Sequence, residues 1–223
     1  MPRWSSRIAL SGFAAVAVVD LIAEFSGWST IALGCRVLLM PLLIWLCWTA
    51  AARRTRLVIL VVIALAFSWL GDFAGQTVLL KIAFFLVAQI VYVVAFRPYW
   101  RLSLVARPPL LIMYAIALLA LIALVAANAG PMAWPVAVYG LSLAVMAVLA
   151  TGVSRLTGVG AALFLVSDIV LAVEFFVAPG AIPYAAFVNM ALYLPAQLMI
   201  TLGVLQEVSA EDASSVGVAS TTG

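Results

Sequence analysis

Phe67-Ser68-Trp69-Leu70-Gly71-Asp72 closes one long apolar run, and Lys81 with Phe84-Phe85-Leu86-Val87-Ala88-Gln89-Ile90-Val91-Tyr92 lies in the next. An aspartate, a lysine and a glutamine therefore sit in or at the edge of segments long enough to cross a bilayer. An ionised group at the bilayer centre costs roughly 2.5–3.5 kcal/mol on an insertion scale. Residues held at that cost mark a function or a partner. A second aspartate, Asp168, lies in Leu163-Phe164-Leu165-Val166-Ser167-Asp168-Ile169-Val170-Leu171, eleven residues into its own run. The two aspartates are expected to face one site.

The surrounding composition fixes the class. The 223 residues are 68% hydrophobic and 9% charged, whereas a soluble domain is roughly 45–50% apolar. Runs of about twenty apolar residues read as spans near 8–26, 30–51, 57–74, 77–96, 109–128, 132–152, 157–177 and 184–206. The expectation is an all-α membrane protein of eight transmembrane helices over residues 1–207. The segment 208–223 is rich in Ser, Thr, Gly and acid without apolar periodicity, and reads as a disordered tail. The basic start and the apolar stretch after it resemble a signal peptide, but the run continues through Asp20 to Phe25 with no small-x-small cleavage site, so it reads as the first span.

Nine of the 11 basic residues fall on one side of such a bundle: Arg3, Arg7, Arg53, Arg54, Arg56, Arg97, Arg101, Arg107 and Arg155. The other two, Arg36 and Lys81, fall inside spans. The positive-inside rule then places both termini in the cytoplasm, with the plasma (inner) membrane as the expected location. The basic residues form no patch with interleaved aromatics, so no nucleic-acid partner is expected. Trp4, Trp28, Trp100 and Trp134 lie near span ends and read as interfacial anchors.

With no histidine in the chain, a Ser-His-Asp triad, a Cys-His pair and a His-ligated zinc are excluded. Cys35 and Cys47 share one helix and read as buried apolar residues. What remains is carboxylate chemistry, ion binding or structural pairing. In the predicted orientation Asp20, Glu24, Arg36, Asp72, Lys81, Glu174 and Asn189 fall in the extracytoplasmic half, with Asp168 near mid-depth. Asp20 and Glu24 are four residues apart, as are Ser68 and Asp72, and Asn189, Tyr193 and Gln197 form an i, i+4, i+8 stripe. Together they outline a polar pocket open toward the outer leaflet.

Each of these residues has a plainer reading. Asp72 can cap the fourth helix or sit wet in a loop, and Asp20 and Glu24 can pair with Arg36. Arg36 and Lys81 neutralise nearby acids or hold a phosphate. Glu174, six residues past Asp168, points roughly 240° around the helix from it and ranks below the two aspartates. A weak echo between Leu70-Gly71-Asp72 and Val166-Ser167-Asp168, and between Ala88-Gln89 and Ala196-Gln197, suggests a four-plus-four parallel repeat.

At these residues the chain resembles the YhhN-like lysoplasmalogenase family of eight-helix membrane proteins. The resemblance rests on Leu70-Gly71-Asp72, Phe84-Phe85 with Tyr92, Trp134-Pro135 with Tyr139-Gly140, Gly160 through Leu165 with Ser167-Asp168, and Tyr193 followed by Ala196-Gln197. It covers helices 3 to 8, with helices 1 and 2 matching loosely. It implies cleavage of the vinyl ether at the first position of lysoplasmalogens, giving a fatty aldehyde and a glycerophospho-ethanolamine or -choline. The family's paired aspartates carry over to Asp72 and Asp168, and Tyr139 falls among the supporting positions. Gln89 and Gln197 stand where relatives have histidine, so no titrating group is present there.

The residues themselves suit that class. Vinyl ether hydrolysis needs an acid, a water and a carboxylate, and no cofactor. Asp168, the deeper, is expected to be the acid and Asp72 the ionised partner, with the reverse assignment open. Arg36, Lys81, Gln89, Tyr92, Asn189, Tyr193 and Gln197 are expected to bind the lysophospholipid substrate. The alternative is a small proton- or cation-coupled lipid or solute transporter, or a non-catalytic lipid-binding membrane protein.

Overall fold

The computed structural model describes the backbone of residues 2–73 and 77–221, and side chains over 4–73 and 77–214. The described residues are helical with no strand. Eight helices are long and apolar enough to cross a membrane: α1 (Pro2–Phe25), α2 (Ser29–Ala50), α3 (Arg56–Phe73), α4 (Val78–Phe96), α5 (Pro108–Asn128), α6 (Ala133–Val153), α7 (Arg155–Ala172) and α8 (Ala185–Thr221). The eight expected spans are all present. The end placed at Ala74 lies outside the described residues.

Local chemistry sets the boundaries. Thr77 caps α4, its hydroxyl accepting from the Leu80 N–H at 3.2 Å, and Ser154 caps α7 by accepting from Thr157 N–H at 3.1 Å. Pro108 and Pro109 open α5, where a missing N–H costs nothing. Gly27 and Gly180 take φ of +72° and +80° in the α1–α2 and α7–α8 turns, a region that favours glycine. Past Ala172 the helix widens into a π turn, Val173–Val177.

One stretch departs from the sequence reading. Residues 208–221, expected to be disordered, continue α8 to Thr221. Polar contacts tie the first turns of that stretch to distant connections. Tyr99 donates its hydroxyl to Glu211 Oε1 at 2.9 Å, and Arg53 Nε lies 2.8 Å from Asp212 Oδ1.

Consecutive helices pack as α1–α2–α3–α4, α4 crosses to α6, and α6–α7–α8 complete the bundle, with α8 touching α1, α2, α3 and α6 as well. The most buried span is α8, and α5 is the least, lying outside against α6. In a bilayer there is little hydrophobic drive between helices, so close approach relies on small residues. Gly160 of α7 sits where a Cβ would lie 2.8 Å from the Ala196 carbonyl oxygen of α8. Gly203 of α8 is tighter still, where a Cβ would press on Thr157 Oγ1 of α7. Outward faces are apolar, and Trp4, Trp28, Trp100 and Trp134 are exposed at or near helix ends.

Candidate functional site

The α7–α8 seam and the α3–α4 hairpin bring the polar residues together. Phe85 of α4, Phe164 of α7 and Tyr193 of α8 form an edge-to-face cluster with ring centroids 5.3–6.2 Å apart. A Cβ at Gly71 would lie 2.6 Å from Phe85, so the glycine before Asp72 lets that ring close on α3. The cluster fixes the Tyr193 ring, and its hydroxyl donates to Asp72 Oδ2 at 2.9 Å.

Behind Tyr193 the network is fully internal. Gln197 Nε2 donates to the Tyr193 hydroxyl and to Ser68 Oγ, both at 3.2 Å, and Gln197 Oε1 accepts from the Tyr92 hydroxyl at 2.9 Å. Ser68, Tyr92 and Gln197 are each buried completely. A glutamine serves here because the site asks for a donor pair and an acceptor at once.

Asp168 has a matching arrangement from other helices. The Tyr139 hydroxyl of α6 donates to Asp168 Oδ2, and the buried Gln89 amide of α4 lies beside that tyrosine. Asn189 Nδ2 donates to the Ser167 carbonyl at 3.0 Å, tying α8 to α7 one residue from Asp168.

A cavity of about 90 Å³ joins the two halves. Asp72, Lys81, Tyr139, Asp168, Asn189 and Tyr193 supply its polar wall, and Phe85, Val136, Phe175 and Phe176 are among the apolar residues that complete it. The volume holds a few waters, at roughly 30 Å³ of liquid volume each. The charge of Lys81 acts on both aspartates, and that of Arg36 also reaches Asp72. Lys81 lines the cavity and, among the described residues, makes no ion pair.

The plainer readings of several residues are thereby decided. Asp72 is buried inside α3 rather than wet in a loop, and Thr77, not Asp72, caps α4. Glu24 pairs with Arg36, as the structural reading expects, while Asp20 lies fully buried nearby on α1. Glu174 turns away and accepts from Gly180 N–H at 2.8 Å, holding the α7–α8 turn. Of the expected substrate-binding set, Lys81, Asn189 and Tyr193 line the cavity; Gln89, Tyr92 and Gln197 stand behind the tyrosines, and Arg36 lies beyond Asp72.

Sequence reading reached Tyr139 only through resemblance, since one tyrosine in an apolar helix carries no periodic signal. It passed over Phe175 and Phe176. Their only mark is the π turn, a feature frequent at functional sites and invisible in the residues themselves.

The model of the YhhN family matches residues 31–204, from α2 through most of α8. The chain belongs to the YhhN family. Both aspartates, both tyrosines and both glutamines of this YhhN protein fall inside the matched region. It is also similar to lysoplasmalogenase TMEM86B of Rattus norvegicus, 44% identical over 75 residues, a stretch that is 34% of this chain and 31% of that relative. The chain thus matches about a third of the curated relative's length. No solved structure matches it.

Proposed function

We propose that this YhhN protein is a membrane-embedded hydrolase that cleaves the vinyl ether of lysoplasmalogen-type lysophospholipids. One observation carries the reading: two aspartates, 96 positions apart in sequence, line one cavity, and each accepts a hydrogen bond from a tyrosine hydroxyl. The similarity to a protein named lysoplasmalogenase supports the substrate class.

The reaction is assigned as follows. Asp168 passes its proton to the distal alkene carbon, whose π electrons form the new C–H bond and leave an oxocarbenium at the ether-bearing carbon. Asp72 stabilises that cation and takes a proton from the water that adds to it. The hemiacetal then collapses: its C–O bond to glycerol breaks as Asp72 gives its proton to the glycerol oxygen, Asp168 takes the hemiacetal hydroxyl proton, and the aldehyde leaves with both carboxyl groups restored. One water is consumed. Asp72 receives the ionised role because it lies in the last turn of α3, whereas Asp168 lies deeper, with the rest of α7 and the π turn beyond it. Tyr139 and Tyr193 hold the carboxyl groups in place, and Lys81 meets the phosphate.

The cavity is set at the end of the bundle that carries the α3–α4 and α7–α8 turns, and the basic residues from Arg53 to Arg155 named above lie at the other end. By the positive-inside rule the termini are cytoplasmic and the cavity opens toward the exterior. The α3–α4 and α7–α8 hairpins each carry one of the aspartates and one of the buried glutamines, Asp72 with Gln89 and Asp168 with Gln197, which supports a four-plus-four repeat.

Purified full-length protein in detergent tests the reading. Fatty aldehyde released from a lysoplasmenylethanolamine, and not from the ester-linked lysolipid, is the expected result. No aldehyde from the vinyl ether would overturn it, and would favour the transport alternative, for which no gradient exists in detergent.

A further inference from the structure

Beyond the cavity, an apolar path leads away from Asp168. A hollow of about 60 Å³ lies between α5, α6 and α7 and shares Val136, Tyr139, Asp168 and Ala172 with the cavity. On its far side, Leu118 and Ile122 are shared with a larger groove of about 280 Å³ between α5 and α6. That groove runs to Leu111 of α5 and Val148 of α6. The one polar side chain in its wall, Tyr114, turns its hydroxyl onto the Ala144 carbonyl at 3.4 Å. Gly140 sits at the junction, where a Cβ would lie 3.0 Å from Ile122 Cγ1, so the missing side chain lets the two helices close there.

We infer that this α5–α6 groove holds the hydrocarbon chain of the lipid whose ether-bearing carbon lies at Asp168, and that it sets chain-length preference. The inference rests on the hydrolase reading for its substrate. Three features choose a fatty chain as occupant. The groove adjoins the hollow and the hollow adjoins the cavity through shared side chains, so one extended chain can reach from one to the other. Its wall offers no free hydrogen-bonding group, which suits a chain and no head group. The combined length of hollow and groove also fits: from Val136 to Val148 is about 18 Å at about 1.5 Å per residue, more than half of the roughly 30 Å hydrocarbon core. Because α5 is the least buried span, the groove is open laterally to lipid, a route by which a chain enters without passing through water.

Two blocking variants give a ladder. Ile122 lies at the junction, and Ala115 lies seven residues, about 10 Å, further along α5. With vinyl ether lysolipids of graded chain length, Ala115→Trp is expected to lower the ratio of long-chain to short-chain turnover about tenfold. Ile122→Trp is expected to move the cut-off to shorter chains still. A second measurement needs neither turnover nor a variant: a 1-O-alkyl lysophosphoethanolamine with a diazirine at its chain end is photolysed with the wild-type protein. Adducts are expected on residues 111–119 or 144–149, and excess unlabelled lysoplasmalogen should suppress them. Adducts spread over α1 and α2, or adducts insensitive to the competitor, would overturn the groove assignment, as would a length profile that neither variant shifts. Absence of aldehyde from the wild type would instead sink the hydrolase reading, leaving the groove to be judged by the adducts.

Discussion

The Tyr193 hydroxyl reaches Asp72 Oδ2 at 2.9 Å across 121 residues of sequence, and it is itself held by Gln197. This bond joins α8 to α3 at the cavity wall. Tyr193→Phe keeps the ring contacts with Phe85 and Phe164 and removes the one donor. A buried group left without its partner costs about 1–3 kcal/mol, so kcat/KM for aldehyde release should fall about ten- to hundredfold. Tyr139→Phe should act the same way through Asp168. A Tyr193→Phe enzyme as active as the wild type would show that this hydroxyl does not position Asp72.

Asp72→Asn and Asp168→Asn each preserve size and leave an oxygen to accept from the tyrosine, so the fold should survive. Proton transfer by a placed carboxyl is worth about 10²–10⁴-fold, and each variant should lose at least the lower figure. Groups acting in one step are not additive, so the double variant should be little worse than the poorer single. Aldehyde release, read beside thermal unfolding in the same detergent, checks both parts.

The helical frame was legible because apolar runs of about twenty residues are written into consecutive positions of the sequence. The Asn189-Tyr193-Gln197 stripe was legible for the same reason, since a spacing of four puts residues on one face. Which residues meet across the bundle is different. That Tyr139 belongs to Asp168, and that Gln89 and Gln197 stand behind tyrosines, depends on how α4, α6, α7 and α8 pack. No local pattern encodes that. The continuation of α8 past residue 208 has no local signal, because Glu211 and Asp212 find their partners, Tyr99 and Arg53, in distant connections.

Arg36 lies between acids of α1: it pairs with Glu24, and its charge acts on the fully buried Asp20. Breaking a buried pair by removing one partner costs about 3–5 kcal/mol. Arg36→Gln leaves two acids without a cation and should approach that cost. Glu24→Gln leaves Asp20 beside the arginine and should cost less. Chemical unfolding of the two variants in detergent orders them; equal losses would mean that Asp20 gives Arg36 no support.

Gly160 and Gly34 make a paired test of helix contact. A Cβ at Gly160 would meet backbone of α8, the Ala196 carbonyl oxygen at 2.8 Å and Ile200 N at 2.9 Å, and backbone cannot swing aside as a side chain can. Gly160→Ala must part α7 from α8, and overpacking of this kind costs about 1–3 kcal/mol. Asp168 is about two turns along α7 from that contact, and Gln197 adjoins Ala196, so activity should fall with stability. At Gly34, inside α2, an added Cβ meets nothing within 4 Å. Alanine is favoured over glycine in a helix interior by about 0.5–1 kcal/mol, so Gly34→Ala should unfold at an equal or higher temperature than the wild type. Thermal unfolding and aldehyde release of the two variants, measured together, separate a glycine that admits a neighbouring helix from one that only loosens its own.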